Sequence, residues 1–127
     1  MRWAIGVAAI SGASAVVFGA VSAHIAGGLD VAQTGWIDTA LKYQIWNTLG
    51  LLAVGVLGQV WASSRLLMIS AIAFAAGILM FSGSLYGMAL ADIDLGIVTP
   101  AGGLCLIAAW LFLVLASMVS PRKLNRL

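Results

Sequence analysis

Residues 66–91, LLMISAIAFAAGILMFSGSLYGMALA, run from one turn of the chain to the next without a charged side chain, and apart from Ser70 their polar groups gather toward the far end. A stretch of this length and apolarity suffices to cross a hydrocarbon layer about 30 Å thick, which takes roughly 20 residues of helix. Arg65 stands at its start and Asp92-Ile93-Asp94 at its close, so charge marks both ends.

The same pattern repeats on either side. Trp3 to Ala26 is apolar after Arg2, and Gly27 through Asp38 reads as a polar connection with turn-forming residues. Thr39 to Val60 is a second apolar run, joined to Leu66 by the tight turn Trp61-Ala62-Ser63-Ser64-Arg65. Thr99-Pro100 opens the last run, with proline in a tolerated first-turn position, and Ser120-Pro121-Arg122-Lys123 follows its end near Val119. The reading is an all-α, four-transmembrane-helix bundle in one integral membrane domain, residues 1–127, with spans at about 3–26, 39–60, 66–91 and 100–119.

Composition agrees. Of 127 residues, 63% are hydrophobic and 8% charged, and the mean hydropathy is +1.13. Too few polar side chains exist to cover a soluble globule. Net charge is +2, but no clustered aromatic and basic surface accompanies it, which argues against nucleic acid as a partner. Arg2, Arg65, Arg122, Lys123 and Arg126 fall on one side of the spans and only Lys42 on the other, so both termini are expected on the cytoplasmic side of a bacterial plasma (inner) membrane. Arg2, the apolar run after it and Val21-Ser22-Ala23 have the outline of a signal peptide. The run exceeds the usual 7–15-residue core, and an uncleaved span is expected.

Two groups of residues are candidates for function. The first is polar and lies toward the membrane face opposite the basic residues: His24, Tyr43, Gln44, Asn47, Ser82, Ser84, Tyr86 and Thr99. Polar side chains in hydrocarbon must find partners, and each interhelical hydrogen bond contributes about 0.6 kcal/mol on average. The structural reading is that these groups tie the helices together. The functional reading is an outward-opening pocket around His24, Asn47 and Tyr86, since an imidazole within a span can mark a proton or ion route. The second group consists of small residues at four-residue spacing, Ser11, Ala15, Gly19 and Ala23 on the first span and Gly83 and Gly87 on the third, which permit close helix packing. Trp3, Trp36 and Trp61 suit the membrane interfaces, and Trp110 falls near the bilayer centre as packing bulk.

Catalysis and metal binding find little support. One histidine and one distant cysteine, Cys105, fall short of the three protein ligands usual for catalytic zinc. Ser82 or Ser84 lacks the base and orienting acid of a nucleophilic site. No enzyme activity, metal or cofactor is expected.

Phe81-Ser82-Gly83-Ser84-Leu85-Tyr86, then Leu95-Gly96-Ile97-Val98-Thr99-Pro100-Ala101-Gly102-Gly103, then Trp110, resemble the central motifs of the YgdD/YwdK-like family of small membrane proteins. Tyr43-Gln44 and the Gly19-Ala20…Ala23-His24 segment are also similar, and the likeness covers nearly the whole chain. The family often has histidine where this chain has Asn47, and a glycine-alanine pair where it has Ser22-Ala23. The first departure weakens any two-histidine mechanism. The resemblance implies a four-span bundle without an established activity. Two functions follow as expectations. One is a non-catalytic structural or interaction component, a homo-oligomer or accessory subunit of a larger membrane complex within the lipid bilayer. The other is a small-ligand binder, carrier or channel using the outer polar cluster.

Overall fold

A computed structural model describes residues 1–61 and 64–119. Four long helices account for most of them: α1 (Arg2–Ile25), α2 (Val31–Val60), α3 (Arg65–Ala91) and α4 (Val98–Val119), with a short 3-10 turn, Ala26–Gly28, after α1. The chain is all-α, as the apolar runs require. Ala62, Ser63, Arg122, Lys123 and Arg126 lie outside the described residues.

Three of the helices, α1, α3 and α4, are long and apolar enough to cross a membrane. The second expected span differs. α2 is longer than any of them, 30 residues, but Lys42, Tyr43, Gln44 and Asn47 dilute its apolar character over the segment that would cross. It also begins eight residues earlier than the expected Thr39. Asp30 caps its first turn: Asp30 Oδ1 accepts from the Gln33 backbone N–H at 2.8 Å, and Gln33 Oε1 accepts from the Asp30 N–H at 3.0 Å. Two otherwise unpaired backbone donors are satisfied reciprocally, so the polar stretch 31–38 is helix and the connection from α1 shrinks to a few residues.

α3 stops where Asp92 takes up a left-handed conformation (φ 51°, ψ 38°), a cap conformation that Asp tolerates better than most non-glycine residues. α4 begins close to its expected start, with Pro100 in the first turn, where a missing N–H costs no helical bond.

The helices pack in chain order, α1 on α2, α2 on α3 and α3 on α4. Contacts between α1 and α3 and between α2 and α4 are slight, and α1 and α4 make no substantial contact. This succession leaves two clefts. One lies between α1 and α3 over α2, about 670 Å³, and the other between α2 and α4 over α3, about 630 Å³.

At the end nearer Arg2 and Arg65, the core is apolar apart from the fully buried Ser70, whose Oγ donates to the Ala109 carbonyl of α4 at 2.8 Å. Ala4 and Ala8, Leu51 and Val54, Leu67, Ala71 and Phe74, and Leu106 and Ala109 form one buried cluster. Glycines admit the bulk. A Cβ on Gly50 would lie 2.8 Å from Phe74 Cζ, one on Gly77 would lie 2.6 Å from Leu106 Cδ2, and one on Gly55 would lie 3.1 Å from the Ile5 backbone nitrogen. A smaller cluster of Ile37, Ala40, Leu85, Tyr86 and Ala89 fills the other end.

Candidate functional site

Between these two clusters runs a set of polar contacts, and Gln44 is its centre. Its amide donates to the Ser11 carbonyl at 2.9 Å and to Ser14 Oγ at 2.8 Å, both on α1, while its carbonyl accepts from Tyr86 Oη of α3 at 2.7 Å. Ser11 Oγ also pairs with Thr48 Oγ1 at 2.6 Å. One α2 side chain therefore bonds to the helix on either side. Helical side chains lean toward their helix N-terminus, and α2 and α3 run in opposite directions, so Gln44 and Tyr86 reach toward each other along the bundle. Phe18 of α1 stacks on the Tyr86 ring with centroids 4.3 Å apart and an interplanar angle of 13°. This stack bridges α1 and α3 across their cleft.

The other expected members of the cluster go elsewhere. Ser82 Oγ donates to the Ala40 carbonyl at 2.9 Å, joining α3 to α2. Ser84 Oγ pairs with Thr99 Oγ1 at 2.7 Å, joining α3 to α4. Asn47 donates to the Tyr43 carbonyl one turn back and accepts from Trp110 Nε1 at 3.0 Å. The Tyr43 ring stays largely outside, packed beside Phe81 at 4.9 Å. His24 is exposed, and its Nδ1 lies 2.8 Å from the Ala20 carbonyl of its own helix. A single pocket around His24, Asn47 and Tyr86 does not form. His24 points away from the bundle, and Asn47 and Tyr86 line different clefts.

Gln44 and Ser11 lie near the middle of their helices. α2 starts before the expected Thr39, so the mid-helix position of Gln44 is compatible with its place near the outer end of the Thr39–Val60 run. With the cap at Asp30, about 20 Å of helix precedes Gln44 at 1.5 Å per residue.

The small-residue faces divide as well. Ser11 and Ala15 pack toward α2, continued toward the chain start by buried Ala4 and Ala8. Gly19 has nothing within 4 Å of an added Cβ, and Ala23 is exposed. Gly83 is exposed with open space around it, whereas Gly87 faces Leu95. Close approach belongs instead to Gly50, Gly55, Gly77 and Gly102. A Cβ on Gly102 would run into the Phe81 backbone nitrogen. Spacing alone separates none of these from Gly19 or Gly83.

Among the described residues, every buried side-chain nitrogen or oxygen has a hydrogen-bond partner. No group of three or more His, Cys, Asp or Glu comes together among them. Trp110, expected as bulk, is tied into the polar set through Asn47 and meets Phe74 edge-on with ring centroids 5.0 Å apart. The buried Asn47 gave no clear sign of its partner, because that partner depends on how α4 is rotated.

Two contacts explain why Phe81–Tyr86 and Thr99–Gly103 occur together. Ser84 bonds Thr99, and Gly102 lies flat against the Met80–Phe81 backbone. They are the two faces of one helix–helix seam.

Residues 18–103 match the family model described as "Protein of unknown function (DUF423)". The chain is 37% identical over 122 residues to the UPF0382 inner membrane protein YgdD of Escherichia coli (strain K12), covering 91% of this chain and 89% of that protein. It is 34% identical over 114 residues to a UPF0382 membrane protein of Haemophilus influenzae, covering 88% and 90%. It is 36% identical over 107 residues to the UPF0382 membrane protein SH2409 of Staphylococcus haemolyticus, covering 78% and 81%. No solved structure matches. With three helices able to span a bilayer and a family match over most of its length, the chain belongs to the DUF423 family of UPF0382 proteins and is a multi-pass bacterial inner-membrane protein.

Proposed function

We propose that this protein is a non-catalytic interaction component of a membrane assembly, crossing the bilayer four times with both termini cytoplasmic. The observation that carries the reading is the complete internal use of the buried polar side chains among the described residues, Gln44 above all. The buried groups of the cluster, Gln44, Ser82 and Tyr86 among them, are bonded to neighbouring helices. α2 fits as the fourth span because Gln44, Asn47 and Thr48 are buried against those helices, where membrane-embedded polar groups find partners. The open face at Gly83 leaves room for a helix from a second copy or another subunit.

The test is the native mass of the protein gently extracted from its own membranes, alone and as Gly83→Leu. Wild-type protein is expected in a larger species of fixed stoichiometry, and Gly83→Leu is expected to release a folded protomer. An unchanged assembly in the variant would remove Gly83 from the interface. A wild-type monomer without a partner would instead favour a small-ligand binder. The cleft between α1 and α3, floored by Gln44 and closed at one end by Phe18 and Tyr86, supports that second reading.

A further inference from the structure

The cleft between α2 and α4 differs in kind from the one between α1 and α3. Its lining includes Lys42, Tyr43 and Trp46 of α2, and Ile107 and Trp110 of α4, with Phe81 of α3 at its floor. Lys42 carries a full positive charge, Tyr43 a hydroxyl and Trp46 an indole N–H. None of these three side-chain donors has a hydrogen-bond partner among the described residues. All three residues are exposed, Tyr43 at 46% and Trp46 at 66%. The rest of the lining is largely apolar or aromatic. A donor set beside an apolar trough matches one class of molecule, an amphiphile with an anionic head and a hydrocarbon tail.

Position and size agree with this. About 27 Å of helix separates Lys42 from Val60 at 1.5 Å per residue, which places Lys42 near one edge of a hydrocarbon layer about 30 Å thick when α2 crosses it as proposed above. From that edge, the wall formed by Gly103 to Trp110 extends about 10 Å along α4, within the roughly 15 Å depth of one leaflet. A volume of about 630 Å³ over so short a span is a shallow recess. A partner helix about 10 Å across would need a groove continuing through both leaflets. We infer that this cleft is a binding site for one anionic glycerophospholipid of the leaflet that Lys42 faces. The phosphate sits at Lys42 with Tyr43 and Trp46, and one acyl chain lies against Phe81, Ile107 and Trp110. Asp38, one helical turn from Lys42 toward the start of α2, is the nearby carboxylate on the same helix that opposes the anion.

The experiment is native mass spectrometry from micelles doped with equal amounts of phosphatidylglycerol and phosphatidylcholine of identical chains. The lipid ratio is read on the released protomer, so the result is independent of the assembly proposed above. Wild-type protein is expected to retain phosphatidylglycerol preferentially. Lys42→Gln should reduce that preference about fivefold, the effect of one interfacial basic residue, and Lys42→Arg should keep it. Ile107→Trp, which fills the trough while leaving Lys42 intact, should lower retention of both lipids. Equal retention of the two lipids by wild type, a preference unchanged in Lys42→Gln, or full retention in Ile107→Trp would each overturn the site. Circular dichroism of each variant establishes that its helices are intact.

Discussion

The apolar end of the molecule and its polar middle solve the same problem by opposite means. Around Phe74 and Leu106, helices are held chiefly by shape: glycines on one helix receive bulk from the next, and apolar side chains fill the space beside the Ser70–Ala109 hydrogen bond. Around Gln44, helices are held by direction, through hydrogen bonds whose donors and acceptors must line up. Lipid tails are as apolar as leucine, so a membrane protein gains little from apolar burial alone and relies on fit or on polar pairing. The contrast predicts that the apolar end tolerates added volume least and that the polar middle is costly in aggregate though cheap bond by bond.

The largest effect is expected at Gly77. Gly77→Val adds atoms that begin 2.6 Å from Leu106 Cδ2 and 3.0 Å from the Leu106 backbone nitrogen. α3 and α4 must then separate, costing upward of about 3 kcal/mol, at the upper end of overpacking penalties. Thermal unfolding in detergent should show a large fall in midpoint or no folded protein. A variant as stable as wild type would mean that the α3–α4 seam is looser than described.

An intermediate effect is expected at Gln44. Gln44→Leu removes the link from α2 to both α1 and α3 and leaves the Tyr86 hydroxyl without its acceptor. With individual interhelical bonds averaging about 0.6 kcal/mol and reaching about 1.7, a loss of about 1–2 kcal/mol is expected. Combining it with Tyr86→Phe should recover part of that loss, because the orphaned hydroxyl is gone. Strict additivity of the two substitutions would break the picture of a shared network.

The smallest effect is expected at His24. His24→Ala changes an exposed side chain bonded only within its own helix, so stability should move by no more than about 0.5 kcal/mol. The same measurement sharpens the contrast, since a larger loss would extend the polar middle to the end of α1.

Much of the fold was legible because charge and turn residues bracket the apolar runs. α3 and α4 begin and end within about two residues of the expected positions. The start of α2 was not, because Gln33, Thr34 and Asp38 resemble a loop by polarity. The Asp30-x-x-Gln33 spacing is the signal that reads them as helix. The candidate site was legible only as a list of residue types. Which polar groups meet depends on the rotation of each helix about its axis, and four-residue spacing leaves that angle free when the whole surface is apolar. Hence Gln44 and Tyr86, and Ser84 and Thr99, come together, whereas His24 stands apart and Trp110 joins Asn47. Glycine positions were ambiguous for the same reason. Gly19 and Gly83 have the spacing of a packing face, but Gly50, Gly77 and Gly102 have the neighbours.

The link from Gln44 to helices on both sides also has a consequence in time. α1 and α2 leave the ribosome first, and Gln44 can take its Ser11 and Ser14 partners as soon as that hairpin has formed. Its carbonyl must wait for Tyr86, which is synthesised more than forty positions later. Until then the nascent hairpin, with α2 crossing the bilayer as proposed, carries an unpaired acceptor there. Arrival of the third helix closes it, so this bond completes the α1–α2–α3 core before α4, the last helix to be made, packs onto α3.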